Sequence, residues 1–160
     1  KKIKLKNSTS NKNTKFVHFG GWKKLHNKKV TKSEFNKQVM NKFKIGNSNI
    51  LDIYGFSEQL GTVYVSKGLG GCEVSNFSHV LVRDPKSLKV VEDGNVGFMQ
   101  FLSILPLSYP GISILNDDMG YISKRTIYKN IEKIEFKVHS RLDKLEPRGC
   151  GDTLPDHYYI

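Results

Sequence analysis

The stretch that most constrains the fold runs from Lys15 to Gly55. It reads "KFVHF", the pair Gly20-Gly21, a helix-like segment, "NILDIY" and then Gly55. The two apolar pieces are short and rich in aromatic and β-branched residues, as buried strands are. Between them Phe35, Val39, Met40 and Phe43 fall at helical spacings of three and four, which places them on one face. Thr31 or Ser33 can cap the first turn, and Gly46 in "KIGNSN" is placed to end the helix. Strand, glycines, helix, strand and glycine predict a βαβ-like unit. Ligands of open α/β sheets bind beyond the carboxyl ends of the strands. If the two strands are neighbours, the loops at Gly20-Gly21 and Gly55 face one crevice.

After Gly61 the texture changes. "GTVYVSK", "HVLVRD", "GISILNDDMGYISK" and "IEKIEFKVHSRLD" read as strands. "DPKSLKVVEDGNVGFMQFLSIL" reads as a hairpin region with turn signals at Asp84-Pro85 and Asp93-Gly94, and Gly97 marks a candidate bulge. The expected fold class is α/β: a few strands with a crossover helix, then a β-rich, barrel-like subdomain. The corresponding division is 1–61 for a partial α/β subdomain, 62–152 for the β-rich subdomain and 153–160 for a tail. The opening layer is thin for an α/β sheet that must cover both faces, so the chain reads as the later part of a longer protein.

Composition narrows the class. With 38% hydrophobic and 11% aromatic residues, the chain has enough apolar surface for a packed core and too much for a disordered tail. It has neither an apolar run long enough to cross a bilayer nor a signal-peptide core at "KKIKLKNSTSNKN", and a cytoplasmic location is expected. The charge of +11 is uneven. Residues 1–48 carry 14 lysines against one acid, Glu34, a net of +13, and the remainder nets −2. These lysines are spread along a helix and loops without interleaved arginines and aromatics, which favours a solvated surface over a nucleic-acid site. Cys72 and Cys150 form no Cys-x-x-Cys pair. Free thiols in a reducing compartment fit better than a disulfide framework or structural zinc.

Three stretches carry chemistry. "YGFSEQ" supplies a ring, a glycine, a hydroxyl and a carboxylate, the groups a metal-bound nucleotide needs, although a capped strand exit would look the same. "ILNDDMGY" places Asp117 and Asp118 in a strand-to-turn context, either as a ribose-binding carboxylate or as an Asp-rich turn leading to Gly120. "SRLDKLEPRGCGD" offers Arg141 and Arg148 for phosphate or ribose, and Cys150 between two glycines.

The order "GGWKK", "YGFSEQ", "NDDMG", "SRLDKLEPRG" resembles the later core motifs of the adenylate-forming enzymes. More closely it resembles the LuxE-type acyl-protein synthetases, with the segment "VRDPKSLKVVEDGNVGFMQFLSILPLSYPG" and the terminal "RGC" included. The resemblance covers the chain from about Phe16 to Asp152. It implies an ATP- and magnesium-dependent ligase that makes an acyl-adenylate from a fatty or other carboxylic acid and passes the acyl group to a protein cysteine.

The same resemblance assigns Gly20, Gly21 and Trp22 to the loop lining the adenine and acyl pockets. Tyr54, with Gly55, lies beside adenine, Ser57 near the α-phosphate, and Glu58 is the magnesium acid. Asp118 binds ribose, Arg141 contacts ribose or phosphate, and Cys150 accepts the acyl group. Cys72 is structural. An acyl reductase or acyl carrier is the implied partner. The alternatives are an aryl- or acyl-CoA ligase resembling phenylacetate–CoA ligase, which would not need Cys150, and a non-catalytic docking fragment. Two departures stand out. No Gly- and Ser/Thr-rich phosphate loop precedes Phe16, and Ser140 stands where the hinge motif usually has glycine. The expectation is a carboxyl-terminal portion that is inactive by itself.

Overall fold

A computed structural model describes residues 13–21 and 27–141, with the backbone alone at Arg141. The elements are β1 (Phe16–Phe19), α1 (Lys32–Phe43), β2 (Ile50–Tyr54), β3 (Tyr64–Lys67), β4 (Cys72–Glu73), β5 (Ser78–Arg83), β6 (Gly97–Ser103), β7 (Ser113–Tyr128) and β8 (Ile131–Arg141). One-turn helices cover Asn47–Asn49 and Ser57–Gln59. All eight strands join one mixed sheet in the order β1-β2-β3-β4-β8-β7-β6-β5, an α/β arrangement with one α-helix among the described residues.

β1 and β2 pair in parallel, with Phe16 opposite Ile50 and Phe19 opposite Ile53. A parallel pair requires a crossover, and α1 supplies it. Thr31 caps the helix: its hydroxyl accepts from the Glu34 amide at 3.1 Å. Val39 is buried with Ile45 and Ile50, and Phe16, Phe35, Met40 and Phe43 pack around them. The helix ends earlier than the expected stop at Gly46. Lys44 takes the left-handed conformation, φ 55°, and its amide closes on the Met40 carbonyl at 2.8 Å. Ending there lets Ile45 turn into the small core, where it is only 7% exposed. That burial outweighs the preference for glycine at a left-handed position.

The remaining pairings are antiparallel, and the sheet rolls on itself. Tyr54 of β2 and Phe101 of β6 stand 5.7 Å apart between ring centroids. They lie five strand spacings apart in the sheet order, which would be roughly 24 Å on a flat sheet. Tyr64, Phe101 and Phe136, all fully buried, meet inside the roll with centroids 5.2–5.5 Å apart. Val74, Val80, Val82, Met99, Ile122 and Ile134 complete the main core.

At the far end β7 and β8 continue as a hairpin. Its turn residues Lys129 and Asn130 both have positive φ, 49° and 60°, the backbone twist that suits a two-residue hairpin. Arg125 ties this hairpin to the β5–β6 connection: its guanidinium reaches Asp93 there at 2.8 and 3.1 Å, and Glu132 of β8 at 2.7 Å. In that loop Asp84 accepts from the Lys86 and Ser87 amides, as the turn signal predicts. No helix among the described residues is long and apolar enough to cross a membrane.

Candidate functional site

Because β1 and β2 are parallel neighbours, both glycine-ended loops leave the sheet at the same end. Gly20 and Gly21 follow β1 and are exposed, with Gly20 at φ +86°, a conformation that favours glycine. Tyr54 closes β2 and Gly55 follows it, exposed. Ser57 and Glu58 lie in the next one-turn helix, both exposed, and the Ser57 hydroxyl donates to Glu58 Oε2 at 3.3 Å. Trp22, Arg148 and Cys150 lie outside the described residues.

"NDDMG" is no turn. It lies inside the 16-residue strand β7. The turn-like composition is used instead for an irregularity in the pairing. β6 advances from Phe98 to Gln100 while β7 runs from Met119 to Leu115, so Asn116, Asp117 and Asp118 oppose Met99 alone. On the other side Met119 pairs with Ser140 and Gly120 with Val138, which leaves His139 as an extra residue in β8. Bulges of this kind bend a strand and re-aim its side chains. The irregularity begins just beyond Gly97, the expected position. Gly97 itself pairs with Gly120, which lies close against β8 and Met99: a Cβ on Gly120 would stand 2.6 Å from the Lys137 carbonyl oxygen and also strike Met99.

The bulge brings Asp118 to β2. The Tyr54 hydroxyl donates to Asp118 Oδ2 at 2.6 Å. Asn116 Nδ2 donates to the same hydroxyl oxygen at 3.2 Å, and Asn116 Oδ1 accepts from the Asp118 amide at 3.3 Å. These three side chains form one hydrogen-bonded group across two elements 62 to 64 residues apart. Burial, then the Asp118 carboxylate, push the Tyr54 phenol far above its ordinary range. It is therefore a fixed donor and not a base. The Tyr54 ring also packs beside Phe56, Tyr64, Phe101 and Phe136. Arg141 is the register partner of Asp118 on β8, so the backbone brings two of the expected nucleotide residues side by side.

Two further residues of these motifs, for which the sequence alone indicates no role, have clear places here: Asn116 and Gln59. Gln59 is 1% exposed, immediately after exposed Glu58. Its neighbour Leu60 donates its amide to the Tyr109 hydroxyl, from the connection between β6 and β7. No local pattern distinguishes these residues. Their contacts depend on strands far away in sequence.

Cys72 is half-buried against the main core. It stands in a cross-strand row of His18, Asp52, Ser66 and Cys72, which continues to Phe136 of β8. Lys32 reaches into the row from α1, 3.2 Å from Asp52 and 2.7 Å from Ser66. Burial, then the negative charge of Asp52, push the Cys72 thiol up to about 11. It is a poor nucleophile at neutral pH. Among the described residues no three His, Cys, Asp or Glu side chains converge on a metal position.

Solved structures share this fold. The luciferase-like enzyme from the nonluminescent Zophobas morio mealworm matches with a TM-score of 0.53 at 14% identity, over 81% of this chain and 32% of its own. McyG A-PCP, complexed with phenylalanyl-adenylate, matches with a TM-score of 0.50 at 15% identity, over 81% of this chain and 25% of its own. The likeness to both is one of fold, over part of each of those chains. In sequence, the long-chain-fatty-acid–luciferin-component ligase of Aliivibrio fischeri is 26% identical over 136 residues, 84% of this chain and 35% of the relative. The chain thus spans about a third of that curated relative's length. The model of the family described as acyl-protein synthetase, LuxE, matches residues 1–159, and the chain belongs to that family.

Proposed function

We propose that this chain forms one wall of the nucleotide site of an AMP-forming acyl-protein synthetase, which activates a fatty or other carboxylic acid with ATP and transfers the acyl group to a protein cysteine. The observation that carries the reading is the Tyr54–Asp118–Asn116 group, set beside the Ser57–Glu58 turn at the carboxyl end of β2. In this reading the turn lies next to phosphate and Asp118, with Tyr54, next to the nucleoside. Gly20, Gly21 and Trp22 line the adjoining loop, and Arg141, opposite Asp118, adds a cation. Membership of the LuxE family and the name of the A. fischeri ligase support an acid substrate of the long-chain class.

The residues present suit magnesium and ATP. Glu58 is an exposed carboxylate with a hydroxyl beside it, and magnesium is commonly held by one or two carboxylates together with substrate phosphates and water. When bound, the cation supplies charge neutralisation at the phosphates. The protein's own contribution is positional. Tyr54 fixes one oxygen of Asp118, and Asn116 fixes the tyrosine and the Asp118 backbone, so the carboxylate is pre-set before ligand arrives. Cys150 is proposed as the thiol that takes the acyl group by nucleophilic attack, with AMP leaving. An acyl reductase or acyl carrier is the proposed partner.

Titration of ATP and AMP into the chain tests the wall. Binding in the millimolar range or tighter is expected, and none at millimolar concentration overturns it. In a protein of this family containing the chain, Cys150→Ser should abolish hydroxylamine-sensitive acyl labelling and spare acid-dependent pyrophosphate exchange. Unchanged labelling, or transfer to coenzyme A in its place, overturns the cysteine assignment.

A further inference from the structure

We infer that Gln59 is the positioning residue of the Ser57–Glu58 turn, and that it sets how this site holds the metal–phosphate end of its nucleotide while leaving the nucleoside end to Tyr54 and Asp118. The inference rests on the nucleotide reading above and adds a residue to it.

The turn has a divided character. Ser57 and Glu58 face solvent, and the third residue of the same one-turn helix, Gln59, is 1% exposed. A primary amide in that position is costly unless its polar atoms are satisfied. Gln59 satisfies them on separate elements. Its Oε1 accepts from the Tyr64 hydroxyl of β3 at 2.8 Å. Its Nε2 faces the Phe101 carbonyl of β6 at 3.5 Å and the Gly111 carbonyl of the β6–β7 connection at 3.3 Å. Tyr109, two residues before Gly111, accepts from the Leu60 amide. One side chain and its successor's backbone therefore bind a solvent-facing turn to β3, β6 and the β6–β7 connection.

Besides this anchor, the turn is fixed at its start, where the Phe56 ring packs 4.9 Å from that of Phe101, and by a hydrogen bond of its own. Its backbone makes a 3.3 Å bond from the Gln59 amide to the Phe56 carbonyl. A single-turn helix is too short to be stable by its own hydrogen bonds. The position of the Glu58 carboxylate is thus set by the residue beside it. A group that holds a ligand-facing side chain from within the core acts through geometry, and small displacements there cost binding. The hydrogen bonds of the Tyr54 hydroxyl run to Asp118 and Asn116, whereas its ring packs beside Tyr64 and Phe56.

The two ends of the ligand should respond differently. Gln59→Leu keeps the approximate volume and removes all three polar contacts. Tyr64→Phe removes only the hydroxyl that Gln59 accepts from, and guards against a Gln59→Leu chain that does not fold. In calorimetric titration of the chain with ATP plus magnesium and with adenosine, Gln59→Leu should weaken ATP–magnesium binding about tenfold and change adenosine binding less than about twofold, with Tyr64→Phe between. Equal weakening of both ligands, or of neither, overturns the inference.

Should the unaltered chain bind no nucleotide, the nucleotide reading falls and backbone amide resonances decide the positioning role separately. Shifts in the variants concentrated at residues 56–61 and 109–112 support it. Unmoved Ser57 and Glu58 amides, or shifts spread over the whole sheet, overturn it.

Discussion

The hydroxyl of Tyr54 and the carboxylate of Asp118, 64 residues apart in the chain, share a 2.6 Å hydrogen bond across the rolled sheet. A bond from a neutral donor to a carboxylate belongs to the stronger class of protein hydrogen bonds. The bulge in β7 makes it possible by turning Asn116–Asp118 towards the end of β2.

Tyr54→Phe removes this bond and keeps the ring that packs against Phe101 and Phe136. The stability loss should be about 1.5–3 kcal/mol, the range for hydrogen bonds to charged groups. Nucleotide affinity should fall while the aromatic near-ultraviolet signal of the core persists. Chemical denaturation and titration of the same variant measure the two effects. Unchanged nucleotide affinity would remove Tyr54 from the proposed site.

Alkaline pH should destabilise the fold, for a reason that can be assigned. Cys72 rises from 9.0 to about 11 and Tyr64 from 10.0 to about 12, each chiefly through burial, and Tyr54 rises further. A group whose folded pKa exceeds its unfolded value holds its proton in the folded state while the unfolded chain releases it. Its contribution is therefore complete below the unfolded pKa and is lost as pH climbs towards the folded one. The melting temperature should begin to fall near pH 9, through Cys72, and more steeply above pH 10, through the tyrosines. Cys72→Ala should flatten the early part of that curve, between pH 9 and 10, and leave the later fall in place. An identical early slope in the variant would mean that another group carries it.

Gly120→Ala tests whether the close approach behind the bulge fixes Asp118. The added Cβ would stand 2.6 Å from the Lys137 carbonyl oxygen and strike Met99, which is fully buried. Overpacking of this kind costs about 1–3 kcal/mol. Because Gly120 lies two residues from Asp118 on the same strand, the backbone shift should also disturb the Tyr54 hydrogen bond. Thermal melting reads the first effect, and the chemical shift of the Tyr54 hydroxyl or ring the second. Gly46→Ala, which touches only Ser48 at 3.9 Å and has φ −75°, serves as the mild control.

The sequence by itself determined the elements whose cause is local. Helical spacing placed Phe35, Val39 and Met40 on the buried face of α1. The apolar runs before Gly20 and Gly55 became β1 and β2, and the Asp84 turn closed as its composition implies. Motif order was enough to place the chain among acyl-protein synthetases. Local patterns misled where a distant partner decided. Gly46 looked like the helix stop, but the burial of Ile45 ended α1 at Phe43. "NDDMG" looked like a turn, but pairing of Met119 and Gly120 with both β6 and β8, and of Asp118 with β8, keeps it within β7.

The tertiary structure alone decided that Tyr54 holds Asp118, that Asn116 braces them both, and that Gln59 points into the core beneath Glu58. Those contacts depend on strand register and on the number of extra residues in a bulge. Both are set by pairing between segments tens of residues apart, and a slip of one residue would send the same side chain to the opposite face of the sheet.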